Sequence, residues 1–305
     1  TLLPGRVSVT DDVGRNHLEE HWGPLPAGLG MDATEMLAAL SDGGLKALMM
    51  LGADPVRDHP DPALASRALE AAEFVVAFDA FITDSSRHAD VILPAATYSE
   101  VEGTATNLEG RVQKVNALMP PAGQARPVWS ALDDLAVAMG GELVATSAES
   151  VSKEISEVAP AYREVTWDLL AWGPGREGAV VPLPQGSQPL EHIPVDPGVR
   201  VISSRMTLHT SRVLYDDGVL VRESPALAAL APPPRAYLHP RDAALLAVSE
   251  GDLVAIEAIG TVQLPVVLDS TLAPRTVYVP FNLAGTAGLG ASAAVTVDVI
   301  RGDQE

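Results

Sequence analysis

HADVILPAATYSEVEGTATNLEGRVQ, residues 88–113, concentrates the signals that decide how this chain folds. It opens with an apolar run that Pro94 closes, which reads as a short buried strand with a proline stop. Beyond Glu100 and Glu102 come Gly103-Thr104 and then Asn107-Leu108-Glu109-Gly110-Arg111, a polar, glycine-supported turn. Backbone amides, an amide side chain and a guanidinium suit a polar heterocycle carrying phosphate. The same residues suit a structural turn pinned by an Arg111–carboxylate pair, so residue types alone leave substrate loop, cofactor loop and corner open.

Working upstream, apolar spacing predicts a helix over Ala33–Leu40 and a strand in LKALMMLG (45–52), then a loop in ADPVRDHPDP (53–62). Leu64, Ala68 and Ala71 predict a helix in 63–73, FVVAFD (74–79) a buried strand, and TDSSRHA (83–89) a loop or short helix. Strand, helix, strand, short crossover, strand describes an α/β domain whose parallel sheet is covered by helices. Its ligand-bearing loops would begin at the carboxyl ends of the strands, at Gly52, Asp79 and Pro94. A helix from Trp129 to Met139 closes this domain, placed at 1–140.

Residues 141–198 form a connecting and covering segment, with SAESVSKEISEV (147–158) an exposed helix or arm and 173–198 a Gly/Pro-rich linker. From Val199 the pattern changes to short β-rich runs: 200–206, RVLYDDGVLV (212–221), 251–269 and RTVYVPFN (275–282). They predict a compact barrel over 199–305, interrupted by at least one helical turn after Pro240.

Composition bounds the function. The 305 residues suffice for two domains, and 47% hydrophobic against 20% charged residues is globular. Aromatics make up 4%, so Ala, Leu and Val must build the core. The net charge of −20 and the presence of only three lysines (Lys46, Lys114, Lys153) oppose binding to nucleic acid or to an anionic membrane surface. Without cysteine the chain can supply no disulfide, thiolate nucleophile or cysteine-held cluster. No apolar run approaches the roughly 18–20 residues of a membrane span, and TLLPGRVSVTDD is not a signal peptide. An opening at Thr1 that reads as mid-fold predicts a processed chain or a segment of a larger one.

Catalytic and metal constellations are sparse. Ser85 and His88 could act as nucleophile and base, against a reading in which Asp84 or Ser85 caps a helix. His17 and His21, four apart, lack a third ligand in RNHLEEHW, which reads as a surface turn. Asp54, after Gly52-Ala53, is placed to bind a ribose, amide or guanine edge, or to cap the next turn. GTAGLGASAAV (285–295) could cradle phosphate or form a permissive β-turn. No G-x-S-x-G elbow, HExxH or P-loop sharpens any of these.

Taken together, residues 89–113 resemble the A-D-V-x-L-P…E-x-x-G-T-x-x-N-x-E-G-R-x-Q signature of the molybdopterin oxidoreductase superfamily. Gly52-Ala53-Asp54-Pro55 and 74–94 follow in that family's order, and 237–269 with VPFN (279–282) resembles its dinucleotide-binding domain, a six-stranded double-psi β-barrel. The Asn-x-Glu-Gly-Arg version and the acidic, alanine-rich chain look most similar to the large iron–sulfur subunits (75-kDa type, the G-type subunit in bacteria) of respiratory complex I, NADH:quinone oxidoreductase. That resemblance implies a relic pterin-type fold acting as scaffold, with no catalytic residues and no metal. Iron–sulfur clusters would sit in an N-terminal part absent here, and FMN elsewhere in the complex. The partners would be other hydrophilic subunits, on the cytoplasmic side of the bacterial inner membrane without direct insertion. Carried onto this chain, the family's cofactor-lining loops make Asp54, Gly103, Asn107, Arg111, His239 and Asp242 vestigial cofactor contacts, expected to face protein or water. The alternative is part of a working molybdopterin-guanine-dinucleotide enzyme, such as a formate dehydrogenase or nitrate reductase.

Overall fold

A computed structural model describes residues 2–3, 5, 7–26, 28, 30–143, 145–171, 177–182, 206–290 and 294–299. In chain order, the first part runs β1 (Leu2–Leu3), β2 (Val7–Ser8), α1 (Asp12–Trp22), α2 (Ala33–Ser41), β3 (Ala47–Leu51), α3 (Pro55–Asp58), α4 (Pro62–Ala71), β4 (Phe74–Asp79) and β5 (Val91–Pro94). Next come β6 (Gly103–Thr106), β7 (Arg111–Val115), α5 (Val128–Ala138), α6 (Ala148–Val158) and β8 (Ala179–Val180). The last part holds β9 (Met206–His209), α7 (Val219–Arg222), α8 (Pro225–Ala228), β10 (Ala236–Leu238), α9 (Pro240–Leu246), β11 (Leu253–Glu257), β12 (Thr261–Leu268), β13 (Thr276–Tyr278) and β14 (Ala294–Val299). Two compact units interleave along the chain: 1–33, 77–80 and 92–194 form one, and 34–76, 81–91 and 195–305 the other.

The α/β layer contains the expected parallel sheet, in the order β3-β4-β5. Val75, Ala77 and Phe78 of β4 are buried, as a central strand requires. In the second unit, Leu37 and Leu40 of α2 meet Ala65 and Ala68 of α4, where alanines allow close helix approach. Asp61 caps α4 by accepting the Leu64 amide at 3.0 Å, and Pro62 fits the first turn because its missing N–H is not needed there. Asp90 binds Val75 through its own amide (2.8 Å) and through its carboxylate (2.7 Å), fixing where β5 begins.

The C-terminal segment closes a barrel in the order β10-β12-β11-β14-β9-β13, completed by β10–β13 pairing. β10–β12 and β9–β13 are parallel, and the other pairs antiparallel. Period-2 alternation sends Val254 and Ile256 from β11, and Val262, Leu264 and Val266 from β12, into one core with Leu238 and Val277. The glycine-rich run 285–290 packs on the β11–β12 turn: Gly260 donates its amide to Gly288 at 2.8 Å. A Cβ on Gly290, whose φ is +56°, would run into Ile259 Cδ1. These glycines serve close packing of a turn, one of the two uses the sequence left open.

In the first unit, β6, β7 and β8 form an antiparallel sheet over a small core of Val112, Val165, Leu170 and Val181. α6 starts on a capping box between Ser147 and Ser150.

Several expectations need correction. RNHLEEHW is helix, not surface turn: Asp11 caps α1, accepting the Gly14 amide at 2.7 Å. Only Leu18 of α1 is buried, so no apolar stripe announced it. ADPVRDHPDP contains α3, which starts at Pro55. RVLYDDGVLV is no strand; Asp216 accepts the Gly218 amide at 2.9 Å and leads into α7. β5 is not a buried strand, since Val91 and Ile92 at an outer position of the sheet are 40% and 38% exposed. Gly103 opens strand β6 and is not part of a loop. The expectations for 183–205, and for most of 173–177, lie outside the described residues. No helix among the described residues is long and apolar enough to cross a membrane.

Candidate functional site

Asp54 occupies the corner after β3, where Gly52 turns the chain at φ +58°. It stands at the N-terminus of α3, yet its carboxylate makes no capping bond to that helix. Instead Asp54 Oδ1 accepts the Ser85 amide at 3.1 Å and the Ser85 hydroxyl at 2.6 Å. Ser85 Oγ in turn accepts the Val56 amide at 2.9 Å. Both residues are buried, and Asp54 Oδ2 has no partner among the described residues. Ser85 therefore gives its hydroxyl proton to Asp54 and locks two loops together. The Ser85–His88 nucleophile and base reading has no geometric support, and Thr83 and Ser86 close the next turn on each other.

Around this corner lies an arginine–carboxylate network. Arg57 on α3 donates to Asp84 at 2.6 Å and to Asp217 at 2.9 Å. Arg212 reaches Asp58 at 2.6 Å and Asp216 at 3.0 Å, and lies over the Phe281 ring. Arg222 approaches Glu223 at 3.4 Å and Asp84 at 4.0 Å. Burial alone would lower the Arg57 pKa, but the hydrogen bond that Arg57 donates to Asp84 and the charges of Asp84, Asp217 and Asp54 raise it overall. The Arg57 hydrogen bond holds Asp84 below the usual carboxylate range, against a smaller desolvation effect.

Arg57 also lines a pocket with Val56, Pro60, Thr210, Phe281 and Asn282. It encloses about 50 Å³, room for a few waters. Asn282 is 8% exposed, adopts a left-handed φ of 56°, and its Nδ2 has no partner among the described residues. Sequence reading missed this pocket and the arginines of 212–222. The usable signal was there: Arg212 and Asp216 four apart, then Asp217-Gly218.

His239 and Asp242 belong to the same unit as Asp54 but serve a different turn. His239 caps α9, its Nδ1 accepting the Arg241 amide at 3.0 Å. Asp242 is buried, and its Oδ2 accepts the Arg275 amide at 2.6 Å, holding a residue whose φ is +64°. No hydrogen bond joins Asp54 to His239 or Asp242 among the described residues.

Gly103, Asn107 and Arg111 lie in the other unit, on the β6–β7 hairpin. Asn107 Oδ1 accepts the Arg111 amide at 2.9 Å, and Gly110 at φ +87° completes the turn. The Arg111 guanidinium forks onto both Glu109 oxygens at 3.1 Å and reaches the Glu177 carbonyl at 3.4 Å. Arg111 correspondingly holds the Glu109 carboxyl below its ordinary range. The turn pinned by an Arg111–carboxylate pair is the arrangement found. His17 binds the Val158 carbonyl at 2.8 Å and packs edge-on to His21. No group of three or more His, Cys, Asp or Glu among the described residues could hold a metal.

Comparison with known proteins places this geometry. The molybdopterin oxidoreductase family matches residues 14–138, and the molydopterin dinucleotide binding domain matches 206–302. The second G-type subunit of NADH-quinone oxidoreductase from Rhizobium meliloti is 32% identical over 92% of this chain and 33% of its own length. The assimilatory nitrate reductase catalytic subunit of Bacillus subtilis is 33% identical over 92% of this chain and 44% of its own. Acetylene hydratase from Pelobacter acetylenicus shares the fold, with a TM-score of 0.63 at 18% identity, over 88% of this chain and 46% of that one. The chain thus spans less than half the length of these relatives. It carries, in order, a molybdopterin oxidoreductase domain and a molydopterin dinucleotide binding domain.

Proposed function

We propose that this chain is a scaffold segment of an NADH:quinone oxidoreductase, in the position of the G-type subunit, without a catalytic centre of its own. The whole complex moves electrons from NADH through FMN and iron–sulfur clusters to quinone. This segment contributes buried surface and shape, and docks with other hydrophilic subunits on the cytoplasmic side of the membrane.

The state of the cations carries the reading. A pyrophosphate-bearing cofactor needs guanidinium or ammonium groups facing its phosphates. Arg57, Arg212 and Arg222 are engaged by Asp58, Asp84, Asp216, Asp217 and Glu223, and Arg111 by Glu109. The pocket beside Arg57 encloses about 50 Å³, far below the roughly 300–1,000 Å³ of ligand pockets. With these four arginines paired to carboxylates, the described residues do not present them to a cofactor's phosphates.

A second reading, part of an active molybdopterin enzyme, draws on two buried polar atoms, Asp54 Oδ2 and Asn282 Nδ2, that lack partners among the described residues. Deleting this segment from the full protein separates the two. Scaffolding predicts that the complex fails to assemble while the cluster spectra of the remaining protein are unchanged; normal assembly without the segment would sink it.

A further inference from the structure

We propose that the Met49–Leu51–Phe74 face of the parallel sheet, with the free edge of β3, is the seat of a strand-and-helix segment from elsewhere in the same, longer polypeptide. The inference goes beyond the scaffold reading and holds whether or not a cofactor is bound.

Burial gives the first observation. On β3, Met50 is buried, whereas Met49 and Leu51 on the opposite face are 46% and 52% exposed. The Phe74 amide donates to the Lys46 carbonyl at 3.2 Å, a register that puts Phe74, 46% exposed, on the Met49 face. The other face is covered, since Leu48 packs on the core that α2 and α4 share. Parallel sheets occur almost only with both faces covered. Three large apolar side chains open to solvent on one face therefore mark a surface that another layer covers.

The edge gives the second. β3 ends the sheet order among the described residues, and ALMML (47–51) carries no charge or proline to blunt an open edge. Connection handedness then says where the next strand lies. α4 runs between β3 and β4 on the Leu48 face, and α2 enters β3 on that same face. Right-handed crossovers on one face step in one direction across a sheet. β4 lies on one side of β3, so the strand that feeds α2 belongs on the other, at the free edge. α2 opens the second unit, which holds no described strand ahead of it. Strands beyond that edge, wound the opposite way, carry their helices on the Met49 face. One segment thus serves both edge and face. This chain spans 33% and 44% of the length of two relatives, and the rest of such a polypeptide is long enough to supply it.

The test is thiol labelling of the full-length protein, purified without other subunits, with Met49→Cys, Leu51→Cys and Phe74→Cys made singly. This segment holds no cysteine of its own, so peptide mapping assigns each label to the introduced thiol. Each rate is compared with that of the same variant unfolded in urea. Expected is labelling slowed at least about fiftyfold by folding, and rates within about threefold of the unfolded ones overturn the proposal. Hydrogen exchange on the unmodified protein gives the same answer where a variant does not fold. The amides of Met49 and Leu51 point away from β4, so slow exchange there is expected and fast exchange overturns the proposal. Protection that appears only when other subunits are added overturns the same-chain occupant and leaves the scaffold reading intact. Pterin found in the isolated complex, by contrast, overturns the scaffold reading whatever the labelling shows.

Discussion

The Ser85 hydroxyl donates to Asp54 Oδ1 at 2.6 Å while the Ser85 amide donates to the same oxygen at 3.1 Å. This pair joins the loop after β3 to the loop after β4, 31 residues apart, inside protein. The residue best placed by sequence to read a ligand edge is thus occupied in holding the ligand-type loops together.

Ser85→Ala removes the hydroxyl that serves Asp54 and the acceptor that serves the Val56 amide. The buried carboxylate then keeps one bond, and the expected loss is about 2–3 kcal/mol. Urea unfolding midpoints measure it. A loss under about 0.5 kcal/mol, the range of an ordinary surface change, would contradict the structural role.

Asp242 and Arg275 allow a paired comparison. Asp242→Ala leaves the Arg275 amide without its carboxylate partner at a left-handed residue ahead of β13, for an expected loss of about 1–3 kcal/mol. Arg275→Gly keeps the amide and relieves the backbone, so its effect should stay within about 1 kcal/mol. Were Asp242 a ligand contact only, thermal melting of Asp242→Ala would match wild type.

The Arg57–Asp84 pair predicts a pH dependence. Its hydrogen bond lowers the Asp84 pKa below 3.8. A carboxyl depressed in the folded state adds stability above its unfolded pKa, and loses it as pH falls through the folded value. The contribution is therefore complete near neutrality and fades below about pH 4. Asp84→Asn should lose less stability than wild type between about pH 5 and pH 3, measured by denaturation at each pH. The pair is partly exposed, so the difference is small and shrinks with salt.

The barrel core gives a control for magnitude. Ile256 is fully buried, and Ile256→Ala should cost about 2–5 kcal/mol. Leu245 on α9 is 79% exposed, and Leu245→Ala should stay within about 0.5 kcal/mol.

Much of this architecture is legible in the residues. Apolar alternation in 253–268 gives the barrel hairpin, and the alanine-rich spacing of 63–73 gives α4, because burial on one face leaves a periodic trace. α1 leaves none, since Leu18 alone is buried. The Asp216-Asp217-Gly218 turn breaks a run of β-branched residues that otherwise reads as strand. The site was legible in part as partners: the Arg111–carboxylate turn closes within a few residues. Asp54 and Asp242 stand out by residue type only, because their bonds to Ser85 and to the Arg275 amide are tertiary contacts over 31 and 33 residues. The pocket itself escaped notice because it is assembled from distant loops, around residues 56–62, 210 and 280–290.

The central claim is that this segment shapes an electron-transfer complex without holding a molybdopterin dinucleotide. Its most direct test is the molybdenum, tungsten and pterin content of the isolated complex that contains this chain, expressed per complex. The account predicts none above background, with iron still present in the clusters of other segments. About one metal atom and a stoichiometric pterin per complex would contradict it.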